Sequence, residues 1–128
     1  MSTFLHRALL LDAVATGATA VLMLAGAGLL AGPLGLPAGL LRGAGLVLVP
    51  FVALVAWTAL RPLLLAGAVR AVIGLNAAWV VGSLALLIGG WVAPTALGTV
   101  FVIAQAVVVG AFAELQLLGL RRARTASA

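Results

Sequence analysis

The chain has 128 residues, 66% hydrophobic and only 7% charged, with a formal net charge of +5. Soluble domains carry about a quarter charged residues, so this composition excludes a water-soluble globular domain and predicts a bilayer protein. There is no cysteine, hence no disulfide, thiolate ligand or thiol nucleophile, and seven arginines set against Asp12 and Glu114 are too few and too scattered for a nucleic-acid surface.

A membrane crossing needs about 20 apolar residues. The first run that long covers about 8–31 and is interrupted by a single carboxylate, Asp12. "GPLGLP" ends it, and a second run follows over about 43–61, closed by "RPLLLAGAVR". The third covers about 69–90 and stops at "GGWVAPT", where Pro94 can open a fourth over about 95–120. The basic tail 121–128 is expected to be disordered. The expected fold is therefore an all-α four-helix transmembrane bundle forming a single domain, with no residues left for a soluble one. A cleaved signal peptide competes for the N-terminus, but Asp12 inside its would-be apolar core argues against that reading.

Arg7, Arg61, Arg70, Arg121, Arg122 and Arg124 fall on one side of a four-span arrangement and Arg42 alone on the other, which predicts cytoplasmic N- and C-termini and contact with anionic lipid. The halves also resemble each other. "LDAVATGATAVL" aligns with "LNAAWVVGSLAL", placing Asp12 on Asn76, Thr19 on Ser83 and Gly26 on Gly90. "LRGAGLVLVPFVALVAWTAL" aligns with "ALGTVFVIAQAVVVGAFAEL", placing Gly43 on Gly98, Pro50 on Gln105, Trp57 on Phe112 and Arg61 on Gln116. Fused two-span units keep one orientation, so the repeat is parallel.

Helical spacing gathers Asp12, Thr16, Thr19, Met23 and Gly26 into one stripe, matched by Asn76, Val80, Ser83, Leu87 and Gly90 on the third helix. Pro50, Leu54, Trp57 and Arg61 form a stripe on the second, and Gln105, Val109, Phe112 and Gln116 on the fourth. Polar and small residues belong inside a membrane bundle, so the four stripes should face one another. At a shallow cytoplasmic level, an Asp12–Arg61 ion pair flanked by Asn76 and Gln116 is expected to neutralise the carboxylate; a lone carboxylate at mid-membrane would instead mark a proton or cation site. Closer to the bilayer centre, Gln105, Thr19 and Ser83 form either an interhelical hydrogen-bonded cluster or a polar site for a ligand headgroup or water.

Glu114 lies nine residues beyond Gln105, on the opposite face of its helix. It reaches the headgroups, pairs with Arg121, or meets a basic group on another protein, for which Ala106 and Gly110 supply the small residues of a close helix contact. Gly28 and Gly32, spaced as in G-x-x-x-G, mark a second candidate contact. His6, the only histidine, has no companion ligand, and no nucleophile elbow, P-loop or metalloprotease motif is present, so neither metal nor cofactor nor enzymatic activity is expected.

"LLLDAVATGA", "VIGLNAAWVVGSLALL", "GGWVAPTALG" and "AELQLLGLRR" together resemble a family of small uncharacterised bacterial four-span membrane proteins; the resemblance covers nearly the whole chain and implies no activity. Small multidrug-resistance transporters are similar in span number and in an acidic residue in the first helix, but theirs is a deeply embedded Glu. Fluoride channels are similar in length only. The expected role is a non-catalytic accessory or assembly subunit of the bacterial inner membrane that contacts lipid and another membrane protein or copies of itself. The alternative is a small transporter or channel using the polar stripes.

Overall fold

A computed structural model of the chain describes residues 3–63 and 65–127, with side chains as far as residue 123. It contains four helices, α1 (Thr3–Leu34), α2 (Ala38–Leu60), α3 (Ala66–Ile88) and α4 (Ala96–Ser127), with no strand among the described residues. All four are long and apolar enough to cross a membrane. The protein is a multi-pass four-helix bundle in contact with lipid, and large apolar side chains cover its outside: Leu29 is 83% exposed, Ile88 84% and Val14 71%.

Local chemistry sets the helix ends. Pro62 pushes Arg61 into an extended conformation (φ −74°, ψ 137°), so α2 stops at Leu60, one residue earlier than predicted. Gly35 adopts φ +65°, and the bonds Gly35 N–H to the Gly32 carbonyl (3.1 Å) and Leu36 N–H to the Ala31 carbonyl (3.2 Å) close α1 in a Schellman motif. α4 continues through Ser127, whereas the sequence predicts disorder from residue 121. Arg121, Arg122 and Ala123 are good helix formers, and no Gly or Pro follows Gly119 to break the turn. Ala128 lies outside the described residues, as do the side chains of residues 124–127.

One residue ties two helix ends together. The Thr95 hydroxyl donates to the Pro33 carbonyl (2.7 Å) and accepts from Gly98 N–H (3.1 Å), while Thr95 N–H donates to the Leu34 carbonyl (3.1 Å). Thr95 thus caps the start of α4 and occupies carbonyls left open at the end of α1. Thr95→Ala should lower stability by about 1–2 kcal/mol, and Thr95→Ser should keep most of it, as read by unfolding in mixed detergent micelles.

The helices form a ring. α1 packs on α2 and α4, and α3 on α4, whereas α2 and α3 touch least and, among the described residues, the diagonal helices α1 and α3 meet only through longer side chains such as Asn76 and Asp12. Two apolar cores fill the ends. The end carrying both chain termini holds Leu5, Leu9, Val55, Ala59, Val69, Val72 and Leu120. The far end holds Ala20, Met23, Ala27, Leu34, Leu36, Leu41, Leu48 and Val102.

The predicted outward face of α4 requires correction. Ala106 is only 4% exposed, and a Cβ on Gly110 would meet Val80 at 3.8 Å, so both belong to the interior packing of α4. α4 adjoins both α1 and α3, which makes its buried face wider than the single stripe read from the sequence. Gly28 and Gly32 are exposed on α1, and Glu114 is exposed on α4.

Candidate functional site

Between the two apolar cores the interior is polar. Asp12 is completely buried, and its carboxylate accepts three hydrogen bonds from this chain. Thr16 Oγ1, one helical turn on, donates to Oδ1 at 2.7 Å. Asn76 Nδ2 donates to Oδ2 at 2.8 Å and Gln116 Nε2 to the same oxygen at 2.6 Å. Asn76 Nδ2 also donates to Gln116 Oε1 at 3.1 Å, closing a triangle across α1, α3 and α4. Three donors converge on one side-chain carboxyl group, and in a buried site they replace the water it would otherwise need.

Arg61 is not the fourth member. No ion pair joins it to Asp12 among the described residues; its guanidinium lies over the Trp57 ring, 4.7 Å from the centroid, with Nε buried and without a hydrogen-bond partner. The cause is the proline stop. As the residue that leaves α2, Arg61 sits at the very end of the bundle, while Asp12 lies well inside α1 and points at the axis.

Along the helices the triangle lies inside the bundle: Asp12 is the tenth of the 32 residues of α1. Asn76 is the eleventh of the 23 residues of α3, about 15 Å from its start at 1.5 Å per residue, which puts the Asp12 cluster near the middle of that span.

A second polar group lies toward the far end. Trp79 Nε1 donates to Gln105 Oε1 (2.6 Å), Gln105 Nε2 donates to Ser83 Oγ (2.9 Å) and to the Val102 carbonyl (2.8 Å), and Ser83 Oγ donates to the Trp79 carbonyl (2.7 Å). The predicted pairing of Gln105 with Ser83 is present. Thr19 lines the same space, but its hydroxyl donates to the Ala15 carbonyl (2.9 Å) on its own helix. The sequence reading did not include Trp79 or Thr16 among the site residues. Both had a signal: Thr16 stands in the Asp12 stripe, and Trp79 is three residues from Asn76 and four from Ser83 on the same helix face.

Three cavities adjoin these groups. Along the α2–α3 gap lie one of about 430 Å³, bordered by Met23, Trp79, Ser83 and Gln105, and one of about 280 Å³, bordered by Thr16, Phe51, Asn76 and Trp79. A third, of about 270 Å³, lies between α1 and α4 beside Thr19, Gln105 and Phe112. Thr19 also borders the largest of the three and Thr16 the third, and the remaining walls are apolar. No group of three His, Cys, Asp or Glu side chains able to hold a metal gathers among the described residues.

The arrangement can fix the register of three helices and offer an apolar recess with few polar atoms. Of the predicted inner residues, it unites Asp12, Asn76 and Gln116 in one cluster and Ser83 and Gln105 in another, and leaves Arg61 and Thr19 outside both. No family model, curated protein or solved structure matches the chain.

Proposed function

We propose that the protein is a non-catalytic accessory or assembly subunit of a bacterial inner membrane, acting within a larger membrane complex or a homo-oligomer, with both termini cytoplasmic as the arginine distribution implies. The observation that supports this reading best is the closed interior. A passage for solute needs polar groups that reach both ends, and here apolar side chains such as Leu5, Leu9 and Val69 fill one end and Met23, Leu41 and Val102 the other. The polar groups between them are bonded to one another.

Around the far-end turn joining α1 to α2, Gly28, Gly32, Gly39 and Gly43 are exposed, and no atom lies within 4 Å of a Cβ built on Gly32, Gly39 or Gly43. Small residues let a neighbouring helix approach closely. Gly32→Leu and Gly43→Leu should therefore leave the unfolding transition of the isolated chain unchanged but reduce co-purification with its native partners, or its oligomer mass by native mass spectrometry. Normal assembly in both variants would rule this face out. Glu114→Gln tests the other exposed candidate on α4 in the same assay.

A second reading, a small transporter or channel, draws its support from the depth of Asp12 and from the absence of an ion pair to it among the described residues. Proton or solute flux through vesicles of wild-type protein, abolished in Asp12→Asn while the chain stays folded, would favour it over the subunit role.

A further inference from the structure

We propose that the α2–α3 gap is a lateral binding site for one long apolar chain bearing a hydroxyl group, such as a fatty or isoprenoid alcohol, which enters from the bilayer and donates its hydroxyl hydrogen to Gln105 Oε1. This inference does not depend on the subunit reading.

The first support is shape. α2 and α3 are the least tightly packed neighbours in the ring, and the two cavities between them share Val47, Leu75 and Trp79, so the recess runs along the gap. Its larger part, about 430 Å³, falls in the range of small-molecule sites. Val47, Leu75, Ala78 and Gly82 border it and are themselves exposed, so it opens toward lipid and not toward either aqueous face.

The second support is the chemistry of its few polar atoms, whose hydrogens already have acceptors. The Ser83 hydroxyl serves the Trp79 carbonyl, the Thr19 hydroxyl serves the Ala15 carbonyl, both Gln105 amide hydrogens serve Ser83 Oγ and the Val102 carbonyl, and Trp79 Nε1 serves Gln105 Oε1. What remains in the larger part are lone pairs: a second one on Gln105 Oε1, a second one on Ser83 Oγ and those of Thr19 Oγ1. A quinone, ester or aldehyde brings only acceptors and finds no hydrogen there. A hard cation asks for six or more oxygens, which the aliphatic wall does not supply. A hydroxyl on an apolar chain satisfies both the lone pairs and the wall.

Trp79 reports on the site. In full-length protein carrying Trp57→Phe and Trp91→Phe, reconstituted in phosphatidylcholine nanodiscs, Trp79 is the only indole, and quenching by ω-bromododecanol should saturate. Bromododecane and the methyl ester of ω-bromododecanoic acid, matched in chain, should bind about three- to tenfold more weakly, the value of one net hydrogen bond. Gly82→Phe, built where nothing lies within 4 Å of the new Cβ, should remove the saturable component without unfolding the bundle. Gln105→Leu should bring the alcohol down to the level of the bromoalkane. Linear, non-saturating quenching equal for all three probes, saturation unchanged in Gly82→Phe, or a preference for the ester would each overturn the proposal.

Discussion

Asn76→Val should destabilise the bundle by about 3–5 kcal/mol, and the triple replacement Asp12→Val, Asn76→Val, Gln116→Met should recover most of that loss. Interhelical hydrogen bonds in membranes average only about 0.6 kcal/mol, because helices separated in lipid find other partners. The Asp12 triangle differs in two respects. Its acceptor is a carboxylate with no exposed surface, and Asn76 Nδ2 serves both Asp12 Oδ2 and Gln116 Oε1, so one substitution leaves two buried oxygens short of a donor. Removing all three polar side chains instead leaves only the Thr16 hydroxyl, which can turn to the carbonyl of residue 12 on its own helix, and apolar packing of similar size then stands in for the network. Unfolding in mixed micelles at increasing sodium dodecyl sulfate measures both variants. Losses that simply add across the three positions would mean that the side chains do not act as a unit.

Gly98→Ala is the second large effect, and its sign is the informative part. Glycine inside a helix is worse than alanine by about 1 kcal/mol, so the substitution should ordinarily stabilise. At Gly98 a Cβ would overlap the Leu34 carbonyl oxygen, lie 2.9 Å from the carbonyl carbon and come within 3.1 Å of the Pro94 side chain. Backbone cannot rotate away as a side-chain tip can, so α4 must back off from the end of α1. The Leu34 carbonyl is also the acceptor for Thr95 N–H, so the clasp between the two helices loosens at the same time. The expected change is a loss of about 1–3 kcal/mol, as for other overpacked sites. Gly43, which aligns with Gly98 in the internal repeat, is the control: with nothing within 4 Å of its built Cβ, Gly43→Ala should be neutral or stabilising by up to about 1 kcal/mol. Equal effects at the two glycines would contradict the close approach at Gly98.

That contrast also indicates which features a sequence exposes. Helix number, the Asp12–Asn76–Gln116 meeting and the Ser83–Gln105 bond were legible because a polar residue in a lipid-soluble helix has few places to go, and helical spacing fixes which residues share its side. Arg61 was misplaced because its fate depends on a single backbone angle ahead of Pro62 and not on periodicity. Ala106 and Gly110 were misplaced because a small residue carries no polarity to say which way it points; only the position of α3 beside α4 decides it. The double duty of Thr95 joins residues 62 apart in sequence and leaves no local pattern.

The Asp12 triangle has a consequence for biosynthesis. Its donors from other helices, Asn76 and Gln116, lie 64 and 104 residues further along the chain. At about 5–20 residues per second, the ribosome delivers Gln116 roughly 5–20 s after Asp12. Throughout that interval the first helix must enter the membrane with Thr16 as the one donor of the final set already made. On the scale of cellular insertion an aspartate costs up to about 2.5–3.5 kcal/mol, the value at the centre of a span, and Asp12, the tenth of the 32 residues of α1, carries part of it, while each Leu or Val returns only a few tenths. The long apolar stretch from Ala13 to Leu34 therefore has a task that the finished bundle no longer displays: it carries an unsatisfied carboxylate into lipid before the partners that will satisfy it exist.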